Sequence, residues 1–209
     1  MPRRPQPEYP NVLITGTPAT GKTSLCARIC RPADAAAATP SDSDGGDVDV
    51  LPPPRHIDVS AFAKENECLG EWDAKYSTYE LDEDKLLDLL EPIMIAGNVV
   101  LDYHSSDFFP ERWIQLVVIL RCSSETLFDR STARGYAGEK LSSNLASELM
   151  NVSRDEALAA YPSATHLELA SDRADHADAN ARAVEGALRE ERRRWARRRG
   201  AGGEENPEK

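Results

Sequence analysis

The sequence predicts an α/β fold: a central parallel sheet flanked by helices on both faces. Three observations carry this. Short apolar runs without alternation, NVLIT at 11–15, VVL at 99–101 and QLVVIL at 115–120, suit strands buried on both faces. Amphipathic stretches of helical length separate them, as parallel crossovers require. A glycine-rich turn, GTPATGKT at 16–23, joins the first run to the first helical stretch.

The elements follow in order. The first strand, 11–15, comes straight after Pro10. Residues 21–30 read as a helix, with Leu25 and Ile29 on one face. Residues 82–96 (DEDKLLDLLEPIMIA) open with acidic side chains that suit a helix N-terminus and close at Gly97-Asn98. Pro92 is placed to kink that helix. The second strand is 99–101 and the third 115–120. Helices are expected at 124–133 and 141–161, a further strand at 165–169 and a long final helix at 177–199.

Three segments fall outside this pattern. Residues 1–9 are expected to be a flexible N-terminus and 200–209 (GAGGEENPEK) a disordered tail. Residues 32–54 (PADAAAATPSDSDGGDVDVLPPP) have few large apolar side chains and are expected to form a disordered surface insertion. What remains is one folded domain, 10–199.

Composition narrows the class. Hydrophobic residues make up 40% and charged residues 29%, and no apolar run approaches the roughly 18 residues of a membrane span. The opening MPRRPQPEYP has no apolar stretch, so a secretory leader is not expected. Cys26, Cys30, Cys68 and Cys122 form no C-x-x-C pair and suit the reduced thiols of an intracellular protein. Cys26 and Cys30 lie one helical turn apart. With no nearby His or second Cys pair to complete a metal site, they are expected to pack.

The net charge is −11, but REERRRWARRR at 189–199 holds seven Arg and two Glu. Subtracting that local +5 leaves −16 on the rest of the chain. So acidic a body repels nucleic-acid phosphates and suits a basic protein partner. The arginine run itself reads either as an import signal or RNA-contacting patch, or as the solvated face of a terminal helix, so direct RNA binding stays open.

GTPATGKT is a complete G-x-x-x-x-G-K-[ST] motif between a strand and a helix, the setting a P-loop requires. Glycines such as Gly16 and Gly21 let successive amides turn into one concavity, and the following helix presents its positive end to phosphate. Lys22 would reach the β- and γ-phosphates of a nucleotide, and the Thr23 hydroxyl would ligate Mg²⁺. Such proteins hold the magnesium shell with an acidic residue at the end of another core strand. Asp102, after 99–101, is the candidate; capping a turn is its plainer role.

VVLDYHSSDFFPERW at 99–113 ends this strand in polar groups. His104 could face a metal-bound water or a second substrate, or serve as a hydrogen-bonded structural histidine. Arg112 could contact a phosphate or pair with Asp107 or Glu111. Phe108, Phe109 and Trp113 read as core and cleft wall. In RSTARGY at 130–136, Arg130 and Arg134 share a helix face and Gly135 offers a hinge. These arginines could clamp transferring phosphates or pair with Asp129 or Glu139.

Taken together, PNVLITGTP at 10–18, TGKTSL at 20–25, LDEDKLLDLL at 81–90, LDYHSSDFFPERW at 101–113 and RGY with EKL at 134–141 resemble the adenylate kinase isoenzyme 6 family, also described as coilin-interacting nuclear ATPases. The resemblance covers about 10–30 and 56–175. It implies a P-loop nucleoside-monophosphate-kinase fold with a short NMP-binding segment at 58–81 and a lid at 133–143. It implies nucleotide contacts at Gly16, Ala19, Gly21, Lys22, Thr23, Ser24, Arg134 and Arg173, with Mg²⁺ on Thr23 and Asp102. Catalytic roles fall on Lys22, Asp102, His104 and Arg134, and monophosphate contacts on Lys64 and Arg112.

The implied activity is transfer of the ATP γ-phosphoryl to AMP or dAMP, with ATPase activity and a role in small ribosomal subunit (18S rRNA) maturation. The alternative is an ATP-hydrolysing assembly factor acting on a basic small-subunit ribosomal protein. The implied setting is the nucleus and also the cytoplasm, and a monomer is expected. Three departures stand out, one of them the 32–54 insertion between the P-loop helix and the NMP-binding segment. The family has Gly where Ala19 stands, and a methyl is tolerated there unless φ is positive. Lys64 replaces an Arg, keeping the charge but not the two-pronged grip on phosphate.

Overall fold

The computed structural model describes residues 5–31, 52–74 and 78–201. The expected insertion at 32–54 lies almost wholly outside them, as does most of the expected tail. Seven strands and seven α-helices are seen among the described residues. Five strands form one all-parallel sheet: β1 (Val12–Thr15), β2 (Arg55–Asp58), β5 (Val99–Asp102), β6 (Leu116–Arg121) and β7 (Thr165–Ala170). Their order is β2-β5-β1-β6-β7, so β1 sits at the centre between β5 and β6.

Helices cover both faces. Val12, Ile14, Val100, Leu116 and Val118 point to the side packed by α1 (Lys22–Ile29) and α7 (His176–Ala201). Leu13, Leu101, Val117 and Ile119 point to the other, where α3 (Glu83–Ala96) contributes Leu86, Leu90 and Met94. Adjacent residues of one strand thus enter different cores, which is why these runs are continuously apolar. Asn11 ties the lower strand ends together. Its amide donates to the Met94 and Trp113 carbonyls at 2.9 Å each and accepts from the Val99 N–H at 3.0 Å.

Capping fixes the helix starts. Asp82 accepts from the Lys85 N–H ahead of α3, and Ser123 does the same for Thr126 ahead of α4 (Ser124–Ala133). α3 runs unbroken through Pro92. The helix expected over 141–161 is two: α5 (Gly138–Leu149) and α6 (Val152–Ala160). Asn151 between them has φ +60, a left-handed conformation that Asn tolerates and a continuous helix does not.

Four elements go beyond the sequence reading. β2 has a single buried residue, Ile57, because it is an edge strand. α2 (Val59–Glu65) follows it directly, capped by Asp58. β3 (Leu69–Asp73) and β4 (Thr78–Leu81) form a separate antiparallel pair. Residues 5–9, expected to be flexible, are tied down: the Glu8 N–H donates to the Ile95 carbonyl, and its own carbonyl accepts from Trp195 and Arg199 of α7. Among the described residues no helix is long and apolar enough to cross a membrane.

Candidate nucleotide site

The carboxyl ends of β1 and β5 open into one crevice, the place where open parallel sheets bind ligands. The loop 16–21 follows β1 there. Gly16 has φ +138, and a methyl on it would stand 2.4 Å from the Leu120 carbonyl oxygen, so only glycine lets the loop pass β6. Gly21, left-handed at φ +102, caps α1 without a side-chain hydrogen bond. The first amides of α1 are thereby turned toward the crevice, with the positive end of the helix behind them.

Ala19 takes φ +76, so the family's glycine is replaced where the backbone is left-handed, at a cost of about 1 kcal/mol. Its buried methyl packs with Cys122 and Leu127, which offsets part of that cost.

Lys22 is buried at the start of α1, and its ammonium donates to the Gly16 carbonyl at 2.8 Å and the Thr17 carbonyl at 3.1 Å. Burial lowers its pKa from 10.5 to about 8; Asp102 opposes the shift and Arg134 adds to it. The Thr23 hydroxyl donates to Asp102 Oδ2 at 2.6 Å. These two side chains are hard oxygen donors on one cavity wall, a set that fits a magnesium ion. His104 opens onto the same cavity. The crowding of the cleft, reinforced by Lys22, lowers its imidazole pKa to about 4, so it is neutral near pH 7.

The cavity, about 590 Å³, is lined on one side by Ala19, Lys22, Thr23 and Asp102. Asp58, Ser60 and Thr78 of the 58–81 segment close a second side, and Arg134, Tyr136 and Lys140 of the 133–143 segment a third. A second cavity, about 380 Å³, lies across the loop and is lined by Gly21, Ser24, Leu120, Arg130, Arg173 and Asn180 among others. Ala19 and Arg134 line both.

The structure therefore brings together Ala19, Gly21, Lys22, Thr23, Ser24, Asp102, His104, Arg134 and Arg173, all named from sequence. It does not bring in two others. Arg112, on the short helical turn Glu111–Trp113, pairs with Glu91 of α3 and does not line the cavity. Lys64 is exposed on α2 and lies outside the cavity that Ser60 lines.

One residue escaped sequence reasoning altogether. Glu148, buried on α5, accepts from the Thr17 hydroxyl at 2.5 Å, from Arg121 Nε at 2.6 Å and from the Cys122 N–H at 3.3 Å. It fixes the phosphate loop to the end of β6. Nothing local in SNLASELM marks it, since its partners lie 26 to 131 residues away.

Residues 12–151 match the AAA domain family. The chain is similar to the adenylate kinase isoenzyme 6 homolog FAP7 of Saccharomyces cerevisiae, 38% identical over 163 residues that cover 78% of this chain and 74% of the yeast protein. The homolog of Dictyostelium discoideum is 40% identical, covering 78% of this chain and 82% of its own. That of Drosophila melanogaster is 39% identical, covering 79% and 84%. On a P-loop α/β architecture, with relatives so named across most of both chains, the protein belongs to the adenylate kinase isoenzyme 6 family.

Proposed function

We propose that the protein transfers the γ-phosphoryl group of MgATP to a nucleoside monophosphate, AMP or dAMP. The observation that carries this reading is the pair of cavities that meet at Ala19 and Arg134. A phosphoryl transfer needs two nucleotides held end to end. In this reading the base and ribose of ATP occupy the smaller cavity, against Leu120, Arg173 and Asn180. The phosphates wrap the loop to Lys22, and the monophosphate lies in the larger cavity between Asp58 and Tyr136.

No side chain needs to attack. The Lys22 ammonium and the Arg134 guanidinium offset charge on the transferring group, and the loop amides hold the phosphates in line. Thr23 and Asp102 would hold the magnesium, which supplies further charge neutralisation between the phosphates. His104, being neutral, can accept a hydrogen bond from a water or donate its ring N–H to the incoming monophosphate. The segment around Gly135 lines one wall of the site, and its closure over bound nucleotides would exclude water.

A second reading draws support from Lys64 and Arg112, which both stand away from the larger cavity, and from the carboxylates of Asp58 and Glu156 on its wall. With Lys22 and Arg134 engaged by the transferring group, Lys140 is left on that wall beside two carboxylates, and so small a positive charge for a second phosphate favours hydrolysis. In that reading the chain is an ATP-driven assembly factor, and its acidic body receives a basic small-subunit ribosomal protein. A coupled assay of ADP formation with a panel of nucleoside monophosphates separates the two. Stimulation by AMP or dAMP supports the kinase; equal rates with and without any monophosphate support the hydrolysis-driven factor.

A further inference from the structure

The geometry points to a second, inhibitory metal site directly behind the first, in which Cys26 Sγ, His56 Nε2 and Asp102 Oδ2 bind a zinc-like divalent cation. The three side chains come from three elements: Cys26 from α1, His56 from the edge strand β2 and Asp102 from the end of β5. Register explains the meeting. His56 lies opposite Val100, and Asp102 stands two residues farther along β5 on the same face, which α1 covers. One ligand atom from each lies within 4.8 Å of the other two.

Two observations mark this as more than packing. The Nε2 atom of His56 is buried without a hydrogen-bond partner. It lies 3.7 Å from Asp102 Oδ2, too long for a hydrogen bond but close to the ligand spacing of a tetrahedral site. Metal bonds of about 2.0–2.3 Å at tetrahedral angles put ligand atoms roughly 3.3–3.8 Å apart, so closing the site takes a shift of about 1 Å.

The donor set is a thiolate, an imidazole and a carboxylate. It suits zinc or cobalt and does not suit magnesium, which demands oxygen. Binding exchanges the Cys26 S–H bond for an S–metal bond and releases the proton to solvent, while His56 binds as the neutral ring. His56 is partly exposed, which gives the ion a way in from the sheet edge.

The consequence rests on the reading of Asp102 as the magnesium-side carboxylate. Its Oδ2 is the atom that accepts from Thr23, so an ion behind it takes that oxygen away from the nucleotide side. Occupancy by zinc then suppresses phosphoryl transfer.

The test titrates the full 209-residue chain with Co²⁺ in the absence of nucleotide and follows the thiolate-to-cobalt charge-transfer band. One equivalent should bind and produce the band. Cys26→Ala should abolish it, and His56→Phe should weaken binding by about 10-fold or more. Cys30→Ala, Cys68→Ala and Cys122→Ala should retain it. Circular dichroism and thermal melts establish that each variant is folded. No band in the parent chain, or a band that survives Cys26→Ala, overturns the site.

The functional arm measures ADP formation with and without one equivalent of Zn²⁺. The ratio should fall about tenfold or more in the parent chain and stay near one in Cys26→Ala. A cobalt band without zinc inhibition overturns the regulatory half. A band in a chain that makes no ADP under any condition leaves the metal site standing and sinks the proposed function instead.

Discussion

The Thr23 hydroxyl donates to the Asp102 carboxylate across 2.6 Å, joining the first turn of α1 to the last residue of β5. Sequence separates them by 79 positions; the parallel pairing of β1 with β5 brings them together. Asp102→Asn keeps the shape but removes the charge that would hold the metal. The substitution should lower phosphoryl transfer by roughly 10²-fold. It should also erase the difference in affinity between ATP and MgATP, read by calorimetry.

Gly16→Ala should be severe, because the new methyl would meet the Leu120 carbonyl at 2.4 Å in a left-handed backbone. The clash is with main chain, which cannot swing aside. We expect a loss of at least about 2 kcal/mol in urea unfolding, with nucleotide affinity falling alongside.

Glu148 should matter for both stability and binding. It is buried and paired with Arg121, so Glu148→Ala removes the nearer partner of a guanidinium that keeps Glu168 at 3.4 Å, leaves the Thr17 hydroxyl and Cys122 N–H without their acceptor, and should cost about 1–3 kcal/mol. Thr17→Val removes only the bond to the loop. It should lower the melting temperature by less than Glu148→Ala does while weakening MgATP binding, which titration calorimetry resolves.

Lys22 predicts a pH signature. Burial holds its pKa at about 8, and an adjacent triphosphate favours the charged form, so nucleotide binding takes up a proton wherever the free lysine is neutral. Uptake should be about half a proton at pH 8 and about a tenth at pH 7, and affinity should fall as pH rises above 8. Calorimetry in buffers of different ionisation enthalpy measures it. Lys22→Arg, whose side chain stays charged, should show no uptake at either pH.

The central strands were legible because β1, β5 and β6 are apolar on both faces, and the phosphate loop because its glycines, lysine and threonine sit in one fixed spacing. β2 was not, since an edge strand reading RHID has one buried residue to announce it. The β3–β4 pair was hidden for a related reason: Trp72 and Tyr79 meet edge to face in solvent rather than in a core. The break at Asn151 was missed because helical spacing continues on both sides of a single left-handed residue.

Within the site, what sequence reasoning lacked was long-range pairing. Arg112 carried the charge of a phosphate ligand, but Glu91 on α3 claims it. Cys26 packs in the core as expected, but His56, thirty positions away, comes close to its sulfur on a strand that only the fold lays beside it. Glu148 has no local signature at all.

The proposed phosphoryl transfer is tested most directly by where the γ-phosphoryl group goes. Incubating the chain with γ-³²P-labelled MgATP and AMP should place the label in the β position of ADP, in an AMP-dependent manner that Lys22→Ala abolishes. Label appearing only as inorganic phosphate, at a rate indifferent to AMP, would contradict it.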